Sequence, residues 1–159
     1  MLIDTILRSG LILILLYLAW FDLCTFLLPN KVTYPLIFLG LFTNTLTPYA
    51  FCETTEAWIG GLVAYSSLYL INQIYRQLRD HDGLGMGDAK LFAALGSWLG
   101  IAALPFILLI ASLLGIIGGL LWHRHHKLSS GHAFPFGPFL VIAGIIEVLW
   151  SSQFLNSLI

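Results

Sequence analysis

The longest stretch of this chain without a charged residue runs from Leu91 to Trp122 and holds 32 residues. As one α-helix it would extend about 48 Å, whereas a bilayer core of about 30 Å is crossed by roughly 20 helical residues. Pro105 lies inside the stretch, and the residue before a proline disfavours the helical conformation. We therefore predict two helices here, Asp88–Leu99 and Leu104–Trp122.

Composition extends this prediction to the whole chain of 159 residues. Hydrophobic residues make up 58% of the sequence and charged residues 9%, against about 25% charged residues in an ordinary soluble protein. The length fits a single membrane-embedded domain, residues 1–159, and its net charge of −1 offers no basic surface for nucleic acid. We predict an all-α, polytopic membrane protein with about six transmembrane helices. The four further apolar stretches are Ile6–Phe21, Val32–Cys52, Ala57–Tyr75 and Phe134–Trp150.

The basic residues provide an independent test of six spans, because Lys and Arg concentrate in the cytoplasmic loops of membrane proteins. With six spans, the connections after the first, third and fifth lie on one side of the bilayer. Six of the seven basic residues then fall on that side: Lys31, Arg76, Arg79, Lys90, Arg124 and Lys127. Arg8 alone falls on the other side, so we expect both termini to lie outside the cytoplasm.

The first helix and the two cysteines have simple interpretations. Arg8 and the apolar run after it are followed by no small-residue cleavage site, so we expect a retained helix and not a cleaved signal peptide. Cys24 and Cys52 are too few for a disulfide framework or a zinc ribbon. The six-span topology places them on opposite faces of the bilayer, as apolar filler residues.

Two acids are the candidates for chemistry. Asp22 closes the first apolar stretch and Asp88 opens a later one, and ionisable groups at membrane depth are costly and usually functional. The topology places both at the cytoplasmic end of the membrane, on the first and third loops. Two carboxyl groups at one depth can perform general acid/base hydrolysis of a shared substrate. Asp88 as a helix N-cap and Asp22 as an interfacial acid are the alternatives.

The residues around Asp88 favour the functional interpretation. Gly85 and Gly87 precede it, and glycines permit positive φ angles and close approach of another backbone. Such a turn would let an extended peptide reach the acid. Lys90 either tunes the charge of the acid or follows the cytoplasmic bias of basic residues. 

Other polar residues receive no catalytic role. We interpret the His-rich segment His123–Lys127 and the acids Asp80 and Asp82 as parts of solvated loops, and we predict no metal site. Glu147, in the last span, has no assigned role.

An ordered set of segments resembles a known family. Asp22 is followed by Leu28–Pro35, which reads LPNKVTYP, and Gly85–Lys90 reads GMGDAK. A later segment, Phe134–Pro138, reads FPFGP. Together they resemble the type IV prepilin peptidases, members of the GxGD class of membrane aspartic proteases.

The resemblance implies a membrane aspartic endopeptidase with Asp22 and Asp88 as its catalytic pair. It implies pilin-like precursors, of type IV pili or type II secretion systems, as substrates, cut at the cytoplasmic face of a bacterial inner membrane. Members remove a short basic leader, usually after a glycine, and need no cofactor or metal. The precursor and the oligomeric state are not specified by the sequence.

One departure from the family limits what is carried over. Larger members have an N-terminal insertion with paired Cys-x-x-Cys motifs that is associated with N-methylation, and no such motif occurs here. We therefore do not expect methyltransferase activity. Two alternatives to a peptidase are a small ion- or proton-coupled transporter or channel, whose acids would bind a cation or relay protons, and an inactive relative that only binds pilin-like precursors.

Overall fold

The structure, a computed structural model, describes residues 2–79, 85–126 and 135–157. Over these residues it contains no strand, and the predicted all-α fold is confirmed for this part of the chain. A short 3-10 helix, Ile101–Ala103, lies between the fourth and fifth α-helices. The α-helices are α1 (Leu2–Thr25), α2 (Asn30–Leu46), α3 (Thr54–Arg79), α4 (Met86–Leu99), α5 (Leu104–His126) and α6 (Gly137–Ser157).

Helix α4 forms the centre of the bundle. It packs against α2, α3 and α6, and α6 also packs against α1 and α5. Every residue in Leu91–Leu99 is buried, as expected for a helix that is apolar on all sides. The polar groups of this stretch are satisfied, because Ser97 Oγ donates to Ala94 O at 2.8 Å and Trp98 Nε1 donates to Leu36 O at 2.9 Å.

The predicted break between two helices after Leu99 is confirmed, but a different residue makes the turn. Gly100 ends α4 with a φ of +81°, a left-handed conformation that glycine adopts without steric cost. Pro105 lies in the first turn of α5, where a missing N–H is tolerated. Leu104, directly before it, is helical with a φ of −59° and a ψ of −45°. The predicted effect of Pro105 on its neighbour was therefore wrong, and the glycine ends the helix.

Two glycines allow α3 and α4 to approach each other closely. A Cβ placed on Gly96 would lie 2.5 Å from Gly60 O, and one placed on Gly60 would lie 2.6 Å from Gly96 O. Since neither site has room for a methyl group, the small residues set the distance between the two backbones. Gly115 of α5 similarly lies against the ring of Phe136, just before α6. Gly60, Gly96 and Gly115 therefore all serve packing within the chain.

Two of the described helical segments are long and apolar enough to cross a membrane by length and composition, Leu2–Thr25 and Ile101–Leu121. Gly137–Trp150 is apolar but shorter. Helix α4 has 14 residues, about 21 Å, which is less than the thickness of a bilayer core. The two long apolar helices fit a membrane protein, and the count of six transmembrane helices stays a prediction.

The alternating directions of the helices define two ends of the bundle. The acid end holds Asp22, Asp88 and the start of α6 at Gly137. The Asn44 end holds Asn44, at the end of α2, and the turn at Gly100. Polar side chains are buried at both ends.

Candidate active site

The two predicted acids lie within helices and not on loops. Asp22 is in the last turn of α1 and Asp88 is the third residue of α4. The loop placement was wrong because no helix-breaking residue follows Asp22 until Pro29, so α1 continues to Thr25. Burial is deep at both positions, with Asp22 4% exposed and Asp88 7% exposed.

The connection after Asp22 is short and tightly hydrogen-bonded. Phe26 has a φ of 54°, and its N–H donates to Asp22 O at 2.8 Å, which ends α1 in a left-handed cap. Pro29 then occupies the N-cap position of α2. The Thr33 side chain donates a hydrogen bond back to Pro29 O at 3.3 Å. The first bond closes the end of α1, and the second lies within the first turn of α2.

The carboxyl groups of the two acids meet at the first residue of α6. A Cβ placed on Gly137 would lie 2.6 Å from Asp22 Oδ2 and 3.4 Å from Asp88 Oδ1. The two oxygens therefore cannot be further apart than the sum of these distances. At such a separation, two carboxyl groups can contact one water molecule or one substrate carbonyl.

The hydrogen bonding of the two acids differs. Asp22 Oδ2 is buried and has no hydrogen-bond partner among the described residues, although the Gly137 amide lies close to the Asp22 carboxyl group. The Asp88 carboxyl group lies beside the backbone of Gly85, the N-cap residue of α4. The alternative that Asp88 is itself the N-cap was therefore wrong.

A cavity of about 270 Å³ opens beside the acid pair. This volume equals that of several water molecules, so the cavity can hold one water molecule and part of an extended peptide. Its rim includes apolar side chains that are substantially exposed, among them Phe26, Leu27 and Met86. The full lining consists of Asp22, Phe26, Leu27, Leu28, Asn30, Gly85, Met86, Gly87, Asp88 and Lys90.

The two glycines before Asp88 allow neighbouring groups to lie close to the backbone at the start of α4. A Cβ on Gly87 would lie 2.9 Å from Leu28 Cβ, and a Cβ on Gly85 would lie 3.2 Å from Asp88 Oδ2. Gly85 has a φ of −66°, so the positive φ that a glycine permits is not used there. The glycines instead let the α1–α2 connection and the acid lie against the start of α4.

Lys90 connects α4 to the beginning of α2. Its Nζ donates a hydrogen bond to Asn30 Oδ1 at 2.7 Å and lies 5.2 Å from the centroid of the Tyr34 ring. The lysine thus joins the two segments that were recognised separately in the sequence. It lines the cavity with both acids.

Sequence reasoning missed three residues that the structure makes prominent. Gly137 belongs to the FPFGP segment noted in the sequence, but its place between the acids depends on tertiary packing, as does the φ of Phe26. The buried amide of Asn44 could have been found as an uncharged polar side chain within an apolar stretch. The predicted loop His123–Lys127 was wrong for His123–His126, which belong to α5. Lys127, the predicted loop residues Asp80 and Asp82, and Phe134 of the FPFGP segment lie outside the described residues.

An apolar helical bundle with two buried acids that converge beside an open cavity is typical of a membrane aspartic protease. The model of the type IV leader peptidase family matches residues 10–120 of the chain. The chain belongs to this family. Both Asp22 and Asp88 lie within the matched residues.

Three relatives illustrate the similarity, and each is named as a prepilin leader peptidase/N-methyltransferase. The protein of Dickeya chrysanthemi is 44% identical over 132 residues, covering 83% of this chain and 46% of the relative. The protein of Neisseria gonorrhoeae is 40% identical over 140 residues, covering 87% and 47%. The protein of Legionella pneumophila is 39% identical over 143 residues, covering 90% and 49%. The chain thus spans about half the length of these curated relatives, and no solved structure matches it.

Proposed function

We propose that this chain is an aspartic endopeptidase that removes the leader peptide of type IV prepilin-like precursors, with Asp22 and Asp88 as the catalytic pair. The observation that carries the proposal is the meeting of the two buried carboxyl groups at Gly137, beside an open cavity. The names of the relatives support the substrate class. The methyltransferase activity in those names is not part of the proposal, because the match covers about half of each relative.

The proposed mechanism follows from the closeness of the two acids. Two like charges a few Å apart cannot both ionise easily, so the pair shares one proton near neutral pH. The ionised carboxylate takes a proton from a water molecule, and the resulting hydroxide attacks the carbonyl carbon of the scissile peptide bond. The protonated partner donates a hydrogen bond to the carbonyl oxygen and then transfers its proton to the leaving amine. Titration belongs to the pair and not to either acid.

The proposed location is a bacterial inner membrane, with several membrane spans and the acid end facing the cytoplasm. The distribution of basic residues supports this orientation. Lys90 lines the acid cavity, and Lys31 is the second residue of α2, next to Asn30 of the cavity lining. Arg8 lies at the opposite end, where its Nη1 donates to Val148 O at 3.0 Å and its guanidinium carbon lies 4.7 Å from the Phe51 ring centroid. Lys and Arg favour the cytoplasmic side.

The proposal is tested by co-expressing the chain with a pilin-like precursor and following the leader-sized shift on a gel. We expect the wild type to cleave, and Asp22→Asn or Asp88→Asn to lower the initial rate by at least about 100-fold, the lower range for loss of a general acid or base. The matched control is Glu147→Gln, which neutralises another acid of an apolar helix away from the cavity. It should cleave like the wild type.

The outcomes separate the alternatives. Cleavage that persists in both aspartate variants overturns the catalytic pair. Co-purification of the precursor without cleavage, in the wild type, identifies an inactive binding protein. Neither cleavage nor binding, together with a pH-driven ion flux in proteoliposomes, identifies a transporter.

A further inference from the structure

Gly137 stands out among the tightly packed glycines because its neighbours are the acids themselves. At Gly87 an added Cβ would meet Leu28, and at Gly144 it would meet Leu95. At Gly137 it would meet carboxyl oxygens of both Asp22 and Asp88, which belong to two other helices. One backbone position therefore contacts both members of the proposed catalytic pair.

We propose that Gly137 is a positioning residue, whose missing side chain lets the first turn of α6 close on both carboxyl groups and hold them at the distance required to share a water. The inference rests on the proposed peptidase function and extends it to a third helix. Gly137 itself supplies no group that enters the reaction.

The start of α6 is held from behind by α5. A Cβ on Gly115 would lie 3.1 Å from the Phe136 ring, and a Cβ on Gly118 would overlap the Phe139 ring. The two phenylalanines thus pack against the glycine surface of α5. Because α6 is fixed on that side, an added group at Gly137 would displace the acids and not the helix.

The Asp22 side chain is the group most easily displaced. Its Oδ2 is buried without a hydrogen-bond partner in the described part of the chain, and the Gly137 amide lies beside its carboxyl group, so the position of this carboxyl group depends on the start of α6. A methyl group on Gly137 would begin 2.6 Å from the same oxygen, closer than real side-chain contacts allow. The Asp22 carboxyl group must then move, and its position relative to the Asp88 carboxyl group changes. Misplacing a catalytic group by about 1 Å costs about 100-fold in rate.

The test compares two alanine substitutions on the same helix, Gly137→Ala and Gly144→Ala. At Gly144 the new methyl group would meet only the end of the flexible Leu95 side chain, 2.5 Å away before adjustment. With purified protein in detergent and a pilin-like precursor as the substrate, we expect Gly137→Ala to lower kcat by about 100-fold with KM within about twofold. Gly144→Ala should keep kcat, even if both variants lower the melting temperature.

The pH dependence of kcat provides a readout that a purely structural role would not change. The ionisable groups that line the cavity, within the described residues, are Asp22, Asp88 and Lys90. Two coupled acids hold their shared proton over a wide pH range, and acids moved apart hold it over a narrower one. The residual activity of Gly137→Ala should therefore have a narrower bell-shaped pH profile than that of Gly144→Ala.

A second variant keeps the inference testable if Gly137→Ala does not fold. Gly115→Ala would place a methyl group 3.1 Å from the Phe136 ring, directly before Gly137, and adds no atom near the acids. We expect the small displacement of Phe136 towards the acid end to lower kcat several-fold. If Gly137→Ala folds and keeps full kcat, the inference is wrong while the proposed function stands. The same conclusion follows from full kcat in Gly115→Ala if only that variant folds. A wild-type chain that cleaves no precursor overturns the proposed function and this inference with it.

Discussion

The two ends of the bundle bury polar side chains equally deeply and treat them differently. Asn44 and Asp22 are each 4% exposed. The amide Nδ2 of Asn44 donates to Ser97 O at 2.9 Å and to Trp98 O at 3.0 Å. The Oδ2 of Asp22 has no partner among the residues that the structure describes. Buried polar atoms in folded proteins are nearly always hydrogen-bonded, and Asp22 lines the acid cavity, where a water molecule or a substrate group can bond to it.

The satisfied network of the Asn44 end has an evident structural purpose. Asn44 Oδ1 accepts hydrogen bonds from the backbone of Phe51 at 2.6 Å and of Cys52 at 3.4 Å. The Thr54 hydroxyl donates to Asn44 O at 3.0 Å. One side chain therefore fastens the connection between α2 and α3 to the end of α4, which is bonded through Trp98 O.

The backbone repeats this contrast. The described residues include two with φ in the left-handed region, Gly100 at +81° and Phe26 at 54°. Gly100, at the Asn44 end, adopts that conformation without cost, whereas a residue with a side chain loses roughly 1–2 kcal/mol. Phe26 lines the acid cavity. The acid end thus carries both an unpaired oxygen and a strained residue, as active sites often do.

Two isosteric exchanges sharpen the comparison most strongly. Asn44→Asp replaces the amide NH2 group, which donates to Ser97 O and Trp98 O, with a carboxylate oxygen that faces the same two carbonyl oxygens. We therefore expect a loss of about 3 kcal/mol or more in the free energy of unfolding. Asp22→Asn removes one of two closely spaced buried carboxyl groups without breaking a described bond of Oδ2, so stability should change by less than about 1 kcal/mol or increase. Equilibrium unfolding in detergent micelles measures both.

The reference for this pair is Ser97→Ala, which removes a buried hydroxyl bonded only within its own helix turn and should cost about 1 kcal/mol. If Asp22→Asn destabilised the protein as much as Asn44→Asp, the two ends would be equivalent and the contrast would be wrong.

Much of the fold followed from charge and length. The break after Leu99 was predictable because a 32-residue apolar stretch exceeds one span, although the turn is made by Gly100 and not by Pro105. The predicted first stretch, Ile6–Phe21, was too short, because α1 includes polar residues at both ends (Leu2–Thr25). Composition shows where apolar residues lie, while helix ends depend on local hydrogen bonds.

The site was predictable to a smaller degree. The spacing of charges placed Asp22 and Asp88 at one end, and the structure brings them together at Gly137. Sequence could not give the role of Gly137, because it depends on how α6 docks against two other helices. The partners of Asn44 depend in the same way on the meeting of α2 and α4.

The next largest expected effect is the low reactivity of the Cys52 thiol at the Asn44 end, measured after Cys24 at the acid end has been replaced. Burial, together with the charges of Glu56 and Glu53, raises the pKa of the Cys52 thiol from 9.0 to about 11. The thiolate is the reactive form, so near pH 8 the thiolate fraction of Cys52 is on the order of 100-fold below that of an ordinary thiol. In a Cys24→Ser variant, we expect slow maleimide labelling at pH 8 that accelerates as the pH rises towards 11.

Mass spectrometry measures the labelled fraction, with urea-unfolded protein as the fully reactive control.

The same labelling in sealed inverted and right-side-out vesicles determines which side of the membrane each end of the bundle faces. Labelling of Cys52 in right-side-out vesicles by a charged maleimide, at raised pH, is expected if the acid end faces the cytoplasm. Labelling confined to inverted vesicles would reverse the proposed orientation, and rapid labelling at pH 8 would contradict the buried environment of the thiol.

The smallest expected effects come from substitutions of Gly100 and Phe26, the two residues with positive φ. The change in the free energy of unfolding should have opposite signs at the two ends. Gly100→Ala places a Cβ in a disfavoured conformation, 3.1 Å from Cys52 Cβ, and should lower the free energy of unfolding by about 1–2 kcal/mol. Phe26→Gly relieves the strain of a positive φ at that position, so it should be about 1 kcal/mol more stable than Phe26→Ala, which also lacks the ring but keeps the strain. The comparison with Phe26→Ala removes the contribution of the lost aromatic contacts. Equal stability of the two Phe26 variants would mean that the left-handed turn after Asp22 carries no strain, and the acid end would then differ from the Asn44 end in its hydrogen bonds alone.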